Sequence, residues 1–364
     1  MTATNPSASP PIEPMLAKVA QELPASEGFL FEPKWDGLRA LVFSNKDGIY
    51  IQGRDKKPLN RYFPELERAL FEVLPKGCVL DGEIVVSGDK GLDFDALQAR
   101  IHPSTTRVAL LAKKTPASFV AFDLLCAGGK STMALPQAQR RVRLERFLAA
   151  AKPPLYLTPM TRDRAVAQDW LDRFEGAGLD GVMAKPEALP YTPAKRALFK
   201  IKHERTADCV VAGFRFYKDR EDAVGSLLLG LYDELGVLQH MGSASTFTME
   251  QRVALLEELA PLRKDALKNH PWANWGEPQA HEEERQPGVR SRSAAGKDLR
   301  WEALRPERAA EVKYDQLQGD RFRNAATFVR WRDDKPAAQC RYGQLETVGA
   351  AELQAMFTAR SNKR

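Results

Sequence analysis

The chain has 364 residues, 43% hydrophobic and 28% charged, and its 54 Lys and Arg outnumber its 48 Asp and Glu to give a formal charge of +6. At about 100–200 residues per domain, that length and apolar content suggest two domains with real cores. No run approaches the roughly 20 apolar residues of a membrane helix, and the polar start reads as no signal peptide, so a membrane protein or secreted disulfide scaffold is not expected. Cys78, Cys126, Cys209 and Cys340 stand far apart without a CxxC pair, which excludes a zinc ribbon and a disulfide scaffold and fits a reducing cytoplasm. The five histidines never pair at ligand spacing, so any metal is expected to be a hard cation on carboxylates. The mild positive charge weakly favours a polyanionic partner.

Residues 1–14, polar and rich in proline, predict a disordered leader. From there to about residue 204, β-rich runs alternate with amphipathic helices. Strands are expected over 40–44, 49–52, 78–86, 119–125 and 181–185. Phe63-Pro64 opens a helix with Leu66, Leu70, Phe71 and Leu74 on one face, and 140–150 reads as another. After 204 the texture changes to short strands at 209–217, 226–233 and 237–241. A helix over 248–260 follows, opened by a Thr248/Gln251 capping box, with Val253, Leu256 and Leu259 as its apolar face. Short strands broken by one helix predict a small barrel of the OB type. Residues 264–300 lack any period and read as a long mobile loop inside the second domain. The expected organisation is therefore a domain over 15–204 and a second over 205–364.

The sharpest local signal is Glu32-Pro33-Lys34-Trp35-Asp36-Gly37-Leu38-Arg39, a lysine, an Asp-Gly turn and an arginine between apolar runs. Later strands carry charge in the same manner. Leu80-Asp81-Gly82-Glu83 and Phe122-Asp123 place carboxylates inside strands, Asp180-Gly181-Val182-Met183-Ala184-Lys185 repeats the theme, and Lys200-Ile201-Lys202 points two lysines to one face. Each alone reads as a surface strand or turn; the set, in this order, does not.

That order resembles the covalent nucleotidyltransferases, with a sixth motif in Arg330-Trp331-Arg332-Asp333-Asp334-Lys335. The chain is similar to the ATP-dependent DNA ligases from about Pro14 to near its C-terminus, and among them to the short bacterial type called DNA ligase C. The resemblance implies an α+β fold: a nucleotidyltransferase (adenylation) domain followed by an OB-fold β-barrel domain. It implies sealing of 3′-OH/5′-phosphate nicks in double-stranded DNA through lysyl-AMP and DNA-adenylate, with ATP and Mg²⁺ or Mn²⁺. Lys34 would be the nucleophile, and Lys200 and Lys202 would grip the phosphate and offset charge in the transition state. Phe122 would stack on adenine, Glu32 meet its edge, Met183 close the other face and Glu83 hold the ribose. Arg39 and Arg54 would contact AMP phosphate, ribose or the nick 5′-phosphate.

Asp180 stands where the family usually carries Glu, and is the expected metal ligand. Glu175, before Gly176 at a helix end, is not expected to be one. The sixth motif alone reads as a basic strand on nucleic-acid phosphates. The resemblance implies that the OB domain closes over ATP and brings Asp334 and Lys335 to pyrophosphate, with Arg330 and Arg332 also counted as catalytic. Phe214, Arg215, Phe216 and Lys218 read either as DNA-facing or, for the phenylalanines, as core; Trp272 and Trp275 read as packing anchors. RNA ligases and GTP-dependent capping enzymes share the lysine motif and form the alternative, disfavoured by Glu32, by the Asp81-Gly82-Glu83 segment and by the sixth motif. A monomer acting in the cytoplasm at the nucleoid, beside repair polymerases and without a membrane, completes the expectation.

Overall fold

The computed structural model describes residues 9–88, 91–173, 179–202, 205–218, 220–273, 300–315, 317–318 and 320–345. These fall into two compact units, divided between residues 202 and 205. Among them no helix is long and apolar enough to cross a membrane.

In chain order the first unit runs β1 (Leu16–Ala20), β2 (Phe29–Trp35), β3 (Leu38–Asn45), β4 (Gly48–Gly53), α1 (Pro64–Val73), β5 (Cys78–Gly88), β6 (Gly91–Leu92), α2 (Phe94–Ala99) and α3 (Thr105–Lys114). It continues through β7 (Ala117–Ala127), β8 (Lys130–Ser131), α4 (Gln137–Phe147), β9 (Leu155–Leu157), α5 (Arg164–Arg173), β10 (Leu179–Pro186) and β11 (Arg196–Ile201). One sheet has the order β1-β11-β10-β2, the other β4-β3-β5-β7-β8.

Side-chain alternation sorts each strand into a core face and a cleft face. On β5, Leu80, Ile84 and Val86 join Leu66 and Leu70 of α1 in one buried cluster, while Asp81 and Glu83 take the opposite face. On β2, Phe31 packs with Ala167 of α5, which leaves Glu32 and Lys34 together on the other side. Two glycines are required by close approach. A Cβ on Gly37 would lie 2.3 Å from the carbonyl of Ile84, and one on Gly181, at φ +123°, 2.0 Å from that of Ile201. The helix expected over 140–150 starts earlier, at Gln137, because the extended Pro136 ends the preceding segment and caps it. Ile12, inside the expected leader, is buried, and its backbone N–H and C=O both bond the Gln52 side chain.

The second unit holds β12 (Arg205–Tyr217), β13 (Arg220–Tyr232), β14 (Leu238–Ala244), α6 (Met249–Arg263), β15 (Glu302–Tyr314), β16 (Leu317–Gln318), β17 (Arg321–Phe322) and β18 (Thr327–Trp331). Its antiparallel sheet has the order β14-β13-β12-β15-β18, and a bridge between Ala244 and Ala326 links the two outer strands, so the sheet curls toward a barrel. The Thr248/Gln251 capping box is present, and of the expected face Leu259 is buried and Leu256 partly so, but Val253 is exposed and Arg252, Leu255 and Leu262 are buried instead. Arg252 fits this face: its guanidinium donates to the carbonyls of Val224, Gly225 and Ser245, beside the core residues Leu255, Leu259 and Leu262. Phe214 is core, as is Trp272, whose indole N–H bonds the Leu238 carbonyl at 2.7 Å. Trp275 and most of the expected 264–300 loop lie outside the described residues, as do Glu175 and Gly176.

Candidate active site

A pocket in the first unit brings together Glu32, Lys34, Arg39, Arg54, Glu83, Phe122, Met183 and Lys200. Register explains the convergence. Met183 on β10 pairs with both Glu32 on β2 and Lys200 on β11, so these three residues form a row across one sheet. On the facing sheet, Arg39 of β3 is the cross-strand partner of Glu83 of β5. Phe122 is a bulge residue: Asp81 pairs with Asp123 and Gly82 with Ala121, leaving Phe122 without a partner. A bulge re-aims a side chain, and here it turns the ring into the pocket wall.

Lys34, at the pocket, is ion-paired with Asp180, whose other oxygen lies 3.2 Å from Lys202. Asp180 reaches this place through a second bulge, since the pairing of β10 with β2 slips between Leu179 and Val182 around Gly181. Burial lowers the pKa of Lys200 from its ordinary value, and the nearby cations Lys34 and Lys202 lower it further. Loss of solvation pushes the carboxyl of Glu83 up to about 8, against the pull of Lys34 and Arg39. For Arg39, burial opposes the charge, but the Asp81 carboxylate outweighs it and holds the guanidinium above its usual range. That carboxylate accepts two bonds from Arg39, at 3.0 and 2.7 Å, and a third from the Tyr191 hydroxyl at 2.7 Å.

Buried charges also occupy the far end of the pocket. Glu32 is 1% exposed, and its carboxylate meets Lys185 at 2.6 Å and Arg141 at 3.4 Å. The Lys185 ammonium also sits 4.6 Å from the centre of the Phe122 ring, and the Arg39 guanidinium 5.3 Å from it. Sequence reasoning gave Lys185, Asp81, Tyr191 and Arg141 no role. The acid-Gly-apolar run ending in Lys185 was the signal available for that residue; a buried helical arginine has none, because arginine is ordinarily exposed.

The four residues of the sixth motif lie on the second unit and form a cluster of their own. Arg330 bonds Glu311, its cross-strand partner, at 2.7 Å. Arg332 places Nη1 2.9 Å from each oxygen of Asp208 and pairs with Asp334, while Lys335 reaches Asp208 at 2.8 Å. The hydrogen bond from Arg332 pulls the Asp334 carboxyl down to about 2.

Among the described residues no group of three or more His, Cys, Asp or Glu side chains is placed to hold a metal. The chemistry of Asp180 nevertheless suits a hard cation, since Mg²⁺ is commonly held by one or two carboxylates plus phosphates and water.

The architecture defines the class: an α+β nucleotidyltransferase domain followed by an OB-fold domain. A solved structure from a study titled "DNA binding with a minimal scaffold: Structure-function analysis of Lig E DNA ligases" shares this fold, covering 87% of this chain and 99% of its own at TM-score 0.52 and 16% identity. Residues 14–202 match the family model described as ATP dependent DNA ligase domain, and 220–335 match the ATP dependent DNA ligase C terminal region. DNA ligase C2 of Mycolicibacterium smegmatis is 50% identical over 93% of this chain and 95% of its own length. DNA ligase C of Mycobacterium tuberculosis is 49% identical over 94% and 97%. The chain belongs to the ATP-dependent DNA ligases.

Proposed function

We propose that this ligase seals 3′-hydroxyl/5′-phosphate nicks in double-stranded DNA, with Lys34 as the residue that carries AMP. The observation behind this reading is the convergence of Lys34, Glu83, Phe122, Lys200 and Glu32 on one pocket. Lys34 Nζ attacks the α-phosphorus of ATP; the N–P bond forms, the bond to the bridging oxygen breaks and pyrophosphate leaves. Attack needs a neutral amine, so the ammonium held by Asp180 must first give up a proton to solvent before its lone pair can reach phosphorus. Lys200 and Lys202 offset charge on the phosphate as it develops. The 5′-phosphate of the nick then takes AMP from Lys34, and the 3′-hydroxyl attacks the activated phosphate to displace AMP.

Phe122 supplies the stacking face for adenine, Glu32 an acceptor for its amino group, Met183 an apolar wall and Glu83 a partner for the ribose. Arg39 and Arg54 take phosphate or ribose oxygens. Asp180 would hold Mg²⁺ or Mn²⁺, which when bound neutralises phosphate charge. Arg330, Arg332, Asp334 and Lys335 act on pyrophosphate in the first step, with nicked DNA as the later partner and repair as the setting.

Incubation with α-labelled ATP or α-labelled GTP, followed by a nicked duplex, tests the reading. Label from ATP alone on the protein, chased onto DNA, is expected. A label from GTP alone would indicate a capping-type enzyme, and absence of any label would overturn the assignment.

A further inference from the structure

Against Glu32, which lines the pocket, lies a buried cation that is not itself in the lining and that nothing in the proposed chemistry uses. Arg141, on α4, is 4% exposed and spends all three of its guanidinium nitrogens on different partners. Nε donates to Glu145 at 2.8 Å, Nη2 to the backbone carbonyl of Thr158 at 2.8 Å, and Nη1 to Oε1 of Glu32 at 3.4 Å. Thr158 in turn accepts from the Trp35 indole at 2.9 Å, and its N–H bonds the carbonyl of Ala121, next to Phe122. Arg141 therefore ties α4 to the strand that carries Glu32 and, through Thr158, to the strand that carries Phe122.

We infer that Arg141 is a positioning residue that fixes the plane of the Glu32 carboxylate and so sets the preference for a purine bearing a 6-amino group. This rests on the reading that Glu32 meets the base. The physical reason is geometric. Lys185 holds Oε2 through a single contact, and one contact leaves a carboxylate free to turn about it. A second donor on Oε1 removes that freedom while leaving lone pairs on both oxygens. An ionised carboxylate only accepts, so when held in place it bonds an amino group and repels a carbonyl oxygen at the same position. A planar guanidinium with donors in a fixed fork can bridge Glu32, Thr158 and Glu145 at once; an ammonium on a flexible stem cannot.

The test compares lysyl-nucleotide formation, read as pyrophosphate release, with ATP and with purine riboside triphosphate, which lacks the 6-amino group. Wild type should prefer ATP in kcat/KM by roughly 10- to 100-fold, the worth of a hydrogen bond to a charged acceptor. In Arg141→Ala that preference should fall by about tenfold, because the amino group loses a fixed acceptor while stacking on Phe122 remains. Arg141→Lys, which keeps the charge without the fork, should show a lowered preference as well and serves if the alanine variant does not fold. A drop in kcat/KM equal for both nucleotides, with the ratio unchanged in either variant, would make Arg141 merely structural and overturn the inference. If wild type itself does not distinguish the two nucleotides, the placement of Glu32 at the base fails, and the role of Arg141 with it. Failure of the inference alone is thus told apart from failure of the reading beneath it.

Discussion

The buried charges around Glu32 and Asp81 in the first unit and the sixth-motif charges of the second are held in opposite ways, although Lys34, at 22% exposed, is as open as Arg332 and Lys335. In the first, Asp81 is fully buried, and Glu32 and Lys185 are at most 3% exposed, each with more than one polar partner. In the second, Arg332 and Lys335 expose about a fifth of their side chains and Asp334 64%. Buried pairs are fixed because breaking one strands a charge without water. Pairs open to solvent exchange partners at little cost, because water and salt replace what is lost. The difference teaches that the carboxylates at the back of the first unit's pocket are fixed in place, whereas the second unit presents groups that can leave Asp208 for another anion. That is what pyrophosphate contacts made only in one conformation would require.

The largest effect tests the first unit's pocket. Lys34→Ala should abolish lysyl-AMP formation, with a thermal unfolding midpoint close to wild type, because Asp180 keeps Lys202 as a partner. Labelling with α-labelled ATP and a melting curve check both halves.

The next test would break the comparison outright. Asp334→Ala combined with Lys335→Ala should block lysyl-AMP formation and largely spare sealing of a nick whose 5′-phosphate already carries AMP. Equal loss in both assays would mean that the exposed cluster does not act on pyrophosphate alone.

A third prediction sets the two kinds of pairing side by side. Asp81→Ala should destabilise the protein by about 3–5 kcal/mol, the usual result of leaving a partly buried arginine without its carboxylate. Asp208→Ala, which removes a carboxylate that is itself 13% exposed where Asp81 is fully buried, should cost less. Urea midpoints compare them directly, and similar losses would show that the second cluster is as structural as the first.

Phe122→Ala should raise the KM for ATP by roughly 5- to 100-fold, since base–aromatic stacking is worth about 1–3 kcal/mol. An unchanged KM would take adenine away from this ring.

The smallest effect concerns Glu83. Its carboxyl titrates near 8 in the folded chain against 4.5 when solvated, so the folded state retains a proton that the unfolded state has lost. Its contribution is complete below pH 4.5 and is lost as pH rises toward 8. The melting temperature of wild type should therefore decline across that window more than that of Glu83→Gln, and parallel profiles would refute the shift.

Much of the site was legible because strand alternation is local. The period of two already places Asp81 and Glu83 on one face, and Asp-Gly marks the tight turn at 36–37 and the strand bulge at 180–181. What could not be read depends on partners distant in sequence. Two apolar stripes were available on α6, and the buried one, Leu255-Leu259-Leu262, is the one that also brings Arg252 to carbonyls on β13 and after β14. The long strand β15 was missed because charged residues interrupt its apolar positions and Pro306 breaks its pattern. That proline lies where the pairing with β12 jumps from Arg308 to Ala303, a break that lets a central strand tolerate a residue with no N–H.

The sequence by itself determined the chemistry available: the lysines, carboxylates and aromatic ring, their order, and through that order the family. Residue type and strand period are properties of the chain alone. The tertiary structure decided which of those groups are held and by what. Only folding brings Arg141 and Lys185 to Glu32, Asp180 to Lys34, or Asp208 to Arg332 and Lys335, across separations of 109, 146 and 124 residues in the cases of Arg141, Asp180 and Arg332. Burial then turns those meetings into fixed geometry, because a charge withdrawn from water keeps the partner it has.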